Sequence, residues 1–314
     1  MKVIVPLVIT DAMLSYASIP EDDYPEWASG ETYAIGDFVI STITHKVYRA
    51  LSENGGAVNP DAEWAAIDDS FDLANTKPVD WDRIGATNRW RAFDQSPTRI
   101  ATQSGTMRYT IALPRYIGGV AFFNLKAEQA VVRLRSGGDL LYERSKSLFD
   151  NSNVYDWWTY FFAPVKQLTE TTFTDLPDYT VGDLEIELVQ STGESRVGEI
   201  ALGPIIDLGK TEASPRIQGR DFSTIEPDVF GQLTTVVRQS VRRIHYVAWA
   251  DRDFTLFIDN ILRGLRGGTP AVWIGDDRER LATLNYGYLF KYTIDPSIRA
   301  SSKSKVTLET EGIV

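Results

Sequence analysis

Between Met107 and Ser191 the chain repeats one pattern. "MRYTIAL", "GGVAFFNL", "AVVRLRS", "DLLYERS", "YFFAP" and "DLEIELVQS" are short alternating or apolar runs, and Gly, Asp, Asn or Pro residues separate them. Alternation with a period of two is the mark of a half-buried strand. Regular short strands with no helix between them predict an antiparallel β-sandwich, jelly-roll-like, over residues 68–209. The expected fold class is therefore mainly β.

The last third, 210–314, carries one convincing helical pattern, "DRDFTLFIDNILRGLRGG". Phe254, Phe257, Ile258, Ile261, Leu262 and Leu265 recur with a helical period and give one apolar face. The spacing predicts a helix over 252–265 that buries Phe254, Phe257, Ile261 and Leu265. Asp251 or Asp253 can cap its start and Gly267-Gly268 can end it. Strand patterns flank it: "IHYVAWA" before, then "AVWIG", "GYLFKYTI" and "KVTLET" after. The expected unit is an antiparallel sheet with one packed helix, an α+β assembly domain.

Residues 25–67 read differently. Gly30, Gly36-Asp37, Asn54-Gly55-Gly56 and Asn59-Pro60 punctuate short β-branched and aromatic runs, "DFVIST" and "HKVYRAL". That is a small hairpin-rich module, too small for a large core, which must lean on its neighbours or on tight aromatic packing. Residues 1–24 form an N-terminal strand or arm. Its "VIVPLVI" is apolar enough to need a partner sheet, which points to assembly with other chains.

Composition removes several function classes. The length of 314 residues allows about two or three domains. There is no cysteine, so disulfides, thiol nucleophiles and cysteine zinc sites are excluded. The formal charge of −11 opposes nucleic-acid binding, since a groove for phosphates favours the opposite sign. No apolar run reaches the ~18 residues of a membrane helix, and "MKVIVPLVIT" lacks the h-region and cleavage site of a signal peptide.

Catalytic and metal signatures are weak. "GPIIDLGKT" at 203–211 has five residues between its first Gly and the Gly-Lys pair, one more than a phosphate loop needs. His45 and His245 are the only histidines and no G-x-S-x-G elbow accompanies them. The 43 Asp and Glu residues show no spacing that selects a catalytic pair, and no calcium loop occurs. No cofactor and no metal is expected.

Aromatics carry more information. Trp27, Tyr33, Tyr48 and Trp64 bracket the Gly36-Asp37 turn and Pro60. Sugar rings offer flat C–H patches that lie on aromatic faces, so these four are the candidate carbohydrate-binding residues. The alternative is that they fill the module's core. Tyr48 and Trp64 are the expected core pair, Trp27 and Tyr33 the expected platforms.

The order Trp27-x5-Tyr33-x2-Gly36-Asp37-x-Val39, then Tyr48, then Pro60-x3-Trp64 resembles the chitin-binding type of carbohydrate-binding module found on chitinases. "ALSENGGAVNP" lacks the exposed aromatic which that family carries after its second Tyr strand. Across nearly the whole chain, "VIVPLVITDAML", the sugar-module-like insert, "IGATNRWRAFDQS" at 84–96, "FGQLTTVVRQSVRR" and "ILRGLRGGTPAVWIG" together resemble tail structural proteins of bacteriophages. The resemblance implies a virion component made in the host cytoplasm, near the tail tip or baseplate. It would assemble with itself as a ring or trimer and with neighbouring tail proteins, and could touch host surface polysaccharide. Within "NRWRAFD", Trp90 and Phe93 are expected at a strand start, with Asn88 and Asp94 tying down turns. The competing readings are a glycan-degrading enzyme with an attached binding module, and a secreted carbohydrate-binding adhesin.

Overall fold

The strand Lys2–Ile4 is only three residues long, yet it joins distant parts of the chain. In the computed structural model it pairs antiparallel with Ile205–Asp207 on one side and with Pro270–Ile274 on the other. The structure describes all residues except 55, 70–76, 151–155, 163–165, 178–180, 213–214, 228–231, 277–282, 297–301 and 314. The partner sheet that "VIVPLVI" requires thus lies within the same chain, so this segment is no argument for assembly. Val3 and Ile4 are both fully buried.

From Pro270–Ile274 the sheet continues through Leu284–Asp295, Lys303–Gly312 and Ser240–Asp251 to Lys210–Thr211. Ile205–Asp207 and Lys210–Thr211, the two ends of this path, are one stretch of chain interrupted only by Leu208 and Gly209. One end bonds the N-terminal strand and the other bonds Ala248 and Trp249, so the sheet closes into a barrel. Closure removes the free edges that an open sheet would present.

Side-chain alternation divides the barrel's two faces. Val3, Ala271, Trp273, Tyr246, Val306 and Leu308 share one core with Ile258, Leu262 and Leu265. Ile4, Val272, Ile274, Leu284 and Tyr286 point the other way, onto Ala121, Phe123 and Ala201. The run "PAVWI" is apolar throughout because it is buried on both faces.

The sandwich supplies those last three residues. One sheet has the order Asp139–Ser147, Gln129–Ser136, Gly182–Val189, Met107–Leu113, Leu14–Ala17. Facing it are Glu170–Phe173, Gly119–Phe123 and Glu199–Gly203, with the pair Ala101–Ser104 and Glu194–Val197 beside them. Tyr109, Ile111, Phe122, Val132, Ile186 and Leu202 meet in its core. Leu14–Ala17 belongs to this unit, so the first 17 residues stitch the barrel to the sandwich. The molecule is mainly β, with antiparallel sheets and one helix near its C-terminus, as the alternation predicts.

Local differences have physical causes. The C-terminal helix is Thr255–Gly264, preceded by a 3-10 turn at Arg252–Phe254. Ile258 and Leu262 are its buried residues, Leu265 just past its end is buried as well, and Ile261 packs beside them. The expectation for Phe254 and Phe257 is wrong: they are 59% and 51% exposed. Positions 258, 262 and 265 are spaced by four and three and define the central stripe, which leaves the two phenyl rings on its margin. Neither Asp251 nor any other side chain makes a cap hydrogen bond at the start of the turn or the helix.

"YFFAP" is also not a strand as far as it is described: Trp157–Phe162 is a single short helix. Its rings pair at a spacing of four, Trp157 with Phe161 and Trp158 with Phe162. Trp90 and Phe93 sit at a 3-10 turn, Arg91–Phe93, that follows the strand Trp81–Ala86. Asn88 does tie down its turn, exchanging hydrogen bonds with Thr102 at 2.8 Å in each direction. Asp94 does the same by accepting from the Ser96 backbone N–H at 2.9 Å.

Candidate glycan-binding surface

Gly36 lies at φ +95°, a left-handed conformation that glycine adopts without steric cost. It turns the chain into the hairpin Phe38–Ser41 and Lys46–Ala50. The third strand of this small sheet is Trp81–Ala86, beyond the turn-rich segment that ends near residue 67. Helix Pro60–Asp68 lies against it, started by Asn59, whose Oδ1 accepts the Asp61 N–H at 2.8 Å.

Trp81 is the centre of the module and is fully buried. Its indole N–H donates to the Val58 carbonyl at 3.0 Å. Tyr33 meets it edge-on, with ring centroids 5.2 Å apart. Tyr48 is fully buried, and its hydroxyl donates to Asp61 Oδ1 at 2.8 Å. Burial, followed by the Asp61 carboxylate, holds that hydroxyl protonated well beyond the usual tyrosine range. Trp64 is half-buried; its N–H donates to the Trp81 carbonyl at 2.9 Å, and the Arg83 guanidinium covers its ring at 4.2 Å. Arg83 is held there by Asp68 at 2.8 Å.

Trp27 and Tyr33 are half-buried on the same cluster. The Trp27 backbone N–H bonds the Ile40 carbonyl at 3.0 Å, and the Tyr33 hydroxyl accepts from the Ala28 N–H at 2.9 Å. The structure therefore gathers all four sequence-selected rings around a fifth, Trp81. Sequence reading missed Trp81 because the segment before it gives no strand signal, so the module looked complete at Trp64.

A further ring lies outside the cluster. Tyr24 stacks on Phe38, centroids 4.9 Å apart and planes 19° apart, and remains 40% exposed. Two residues on, Glu26 Oε1 accepts from Thr42 Oγ1 at 2.6 Å. Tyr24 thus combines an accessible ring with neighbouring hydrogen-bonding groups. The "YPEW" stretch was its signal, overshadowed by the Trp27 and Tyr33 spacing.

His45 anchors the module to the sandwich. Its ring stacks on Trp90 at 4.2 Å, and Nδ1 lies 3.0 Å from Glu21 Oε1. Glu21 also accepts from Thr87 Oγ1 at 2.8 Å. The site has the means to hold flat, hydroxyl-bearing ligands by ring stacking and hydrogen bonds. Among the described residues no group of three or more His, Asp or Glu is placed to hold a metal ion, and no helix is long and apolar enough to cross a membrane. No family model, curated protein or solved structure matches the chain.

Proposed function

We propose that the chain is a structural, self-assembling component of a bacteriophage tail tip or baseplate, and that its aromatic module contacts host surface glycans. On this reading it builds and binds, and catalyses nothing. One observation carries the assembly part: an exposed two-stranded arm. Arg216–Asp221 continues along Ser240–His245, and beyond it Thr224–Pro227 pairs with Leu233–Val236. The arm exposes Ile217, Phe222, Ile225, Leu233, Val236 and Val237. A lone two-stranded ribbon is marginally stable in water, and clustered exposed apolar side chains mark interaction surfaces. A neighbouring chain in the particle would cover them.

The glycan part rests on Tyr24 and on the half-buried Trp27 and Tyr33. The test is to locate the chain in purified particles by electron microscopy and to measure its mass in solution. A ring or trimer at the tail end supports the reading. A monomer both in solution and in particles, or no chain in the tail, ends it.

A further inference from the structure

One row of side chains on the sandwich meets the barrel, and its two ends differ in how the barrel receives them. In the three-stranded sheet, Glu170 and Glu199 both lie directly opposite Phe123, from the strands on either side of it. Directly opposed residues share a face, so Glu170, Phe123 and Glu199 stand in one line. The same face carries Ala121 and Ala201, which pack on Ile4, Val272 and Ile274 of the barrel.

The barrel answers two members of the row. Arg242 Nη1 pairs with Glu170 at 3.2 Å and donates to the Leu284 carbonyl at 3.0 Å. Tyr286 stacks on Phe123, with centroids 5.1 Å and planes 26° apart.

Glu199 receives no counter-charge. It is 2% exposed, and among the described residues no cation acts on it. A second carboxyl and a phenol face it instead. The 3-10 turn Arg91–Phe93 packs on strand Glu199–Gly203 and brings Asp94 alongside, its side chain 3% exposed. Tyr286, held over Phe123, turns its hydroxyl toward Glu199. Glu199 Oε2, Asp94 Oδ2 and the Tyr286 hydroxyl are all buried, and none completes a hydrogen bond. Arg99 Nη1 stands 3.6 Å from Asp94 Oδ2, and Lys46 adds positive charge on the Asp94 side. The Gln95 backbone N–H does reach Glu199. Gln95 holds φ +62° to present it, a left-handed position that is costly for a residue with a side chain.

We propose that this row is a proton-operated latch between sandwich and barrel, in which Glu199 holds its end of the seam shut while it carries a proton and opens it on losing that proton. The inference goes beyond the tail reading and does not depend on it.

The chemistry follows from the oxygens present. A protonated Glu199 supplies the O–H that Asp94 Oδ2 or the Tyr286 hydroxyl lacks. An ionised Glu199 leaves two carboxylates side by side in a buried site, where like charges repel and neither is solvated. Relief requires water. A cleft of about 260 Å³ lined by Phe123, Glu170, Arg242 and Tyr286 borders the row and gives water a path. The Glu170 end keeps its arginine, and the N-terminal segment runs from barrel strand Lys2–Ile4 to sandwich strand Leu14–Ala17. The seam therefore opens as a hinge and the two units stay joined.

The direction with pH is set by the same groups. Burial first and Asp94 second raise the Glu199 carboxyl in the closed seam. Asp94 and Glu170 are raised by burial too, but each has an arginine beside it. Closure is thus favoured in full below the ordinary carboxyl value of ~4.3, and the preference is lost as pH rises through the closed-state value of Glu199.

Hydrogen exchange of the full chain, read by mass spectrometry and corrected for the intrinsic rate at each pH, tests the latch. From about pH 5 to about pH 9, protection in Gly119–Phe123, Glu199–Gly203 and the start of Leu284–Asp295 should fall roughly tenfold or more in the wild type, the change that one pKa step represents. Strands Met107–Leu113 and Gly182–Val189, on the far sheet of the sandwich, should keep theirs. Glu199→Gln should show no fall. Asp94→Asn removes the second carboxylate and should show a smaller fall than the wild type. Equal falls in the wild type and Glu199→Gln overturn the proposal, as does a wild type with no fall. A fall that extends equally to Gly182–Val189 is unfolding of the whole sandwich and overturns it as well. If Glu199→Gln does not fold, Asp94→Asn decides: a fall equal to that of the wild type ends the proposal.

Discussion

Gly209 sits against the main chain of Trp249: a Cβ built on it would overlap the Trp249 carbonyl oxygen. Its φ is +103°. Asp207 Oδ1 accepts its N–H at 2.8 Å, and the preceding N–H of Leu208 bonds the Met1 carbonyl at 2.8 Å. This one residue lets a single stretch of chain serve the N-terminal strand and then strand Ser240–Asp251, which is how the barrel closes. Gly209→Ala meets a steric clash with backbone and a disfavoured φ together. The expected loss is at least about 1–3 kcal/mol, the scale of a strained backbone position, read as a lower urea midpoint. A change under about 0.5 kcal/mol, the size of an ordinary surface substitution, would mean that closure does not depend on this approach.

The C-terminal helix makes an asymmetric prediction. Leu262 is fully buried beside Ile258, and Leu262→Ala should cost about 2–5 kcal/mol through lost burial and the cavity left behind. Phe257 is half exposed. Phe257→Ala should change stability by well under the ~3–5 kcal/mol of a core phenylalanine. Denaturation of both variants checks the pair; equal large losses would return Phe257 to the core.

Glu199 introduces a pH dependence. It is 2% exposed at the seam between sandwich and barrel. Burial first, and the Asp94 carboxylate second, push its carboxyl well above the usual range. Asp94 is itself raised by burial, and the Tyr286 hydroxyl faces the same seam. A raised carboxyl favours the protonated folded state. Its contribution is full below the unfolded pKa of ~4.3 and is lost as pH rises through the folded value. Glu199→Gln keeps the shape and removes the ionisation. The variant should therefore gain on the wild type between pH 4 and pH 8, with nearly equal stability at the acid end. Urea titrations at both pH values measure the difference, and a constant gap across the range would remove Glu199 as its source.

Periodicity made the fold class readable, because alternation reports which side of a strand is buried wherever its partner lies. It carries no information about the partner itself. Val3 pairs with Ile206 and Trp273, and nothing local in "KVIVP" names residues two hundred positions away. Barrel closure was therefore invisible, and an intrachain strand read as a surface awaiting another chain. The helical face was too broad for the same reason: hydrophobicity marks six positions, while packing takes a central stripe and leaves Phe254 and Phe257 outside. In the module the residue types were legible but their roles were not. A tryptophan has the same signature whether it forms a core or a platform, and only the third strand, bringing Trp81, shows that the four candidate rings surround a common centre.

On the proposed reading of the module as a glycan contact, that centre decides where the glycan rests. Tyr48 is buried and Trp64 lies beneath Arg83, so neither offers a free face. Tyr33 leans on Trp81 through its ring edge, so removing it disturbs the core as well as the surface. Tyr24 stacks on Phe38 while remaining 40% exposed, and its loss leaves the Trp81 cluster untouched. Tyr24→Ala should keep the fold and weaken attachment to host surface polysaccharide by about 1 kcal/mol per site, the scale of an aromatic contact beyond area burial. A single module would then bind weakly. An assembly with many copies would amplify the loss, because later contacts form at high effective concentration. The check is to titrate the full chain and the intact particle against the polysaccharide, with Trp27→Ala plus Tyr33→Ala as the comparison. A larger loss in the particle than in the free chain for Tyr24→Ala supports a platform at the Tyr24–Phe38 stack. Unchanged binding by that variant, with loss in the Trp27 and Tyr33 pair, moves the platform back to the half-buried rings. No binding by either wild-type form makes the module a structural spacer.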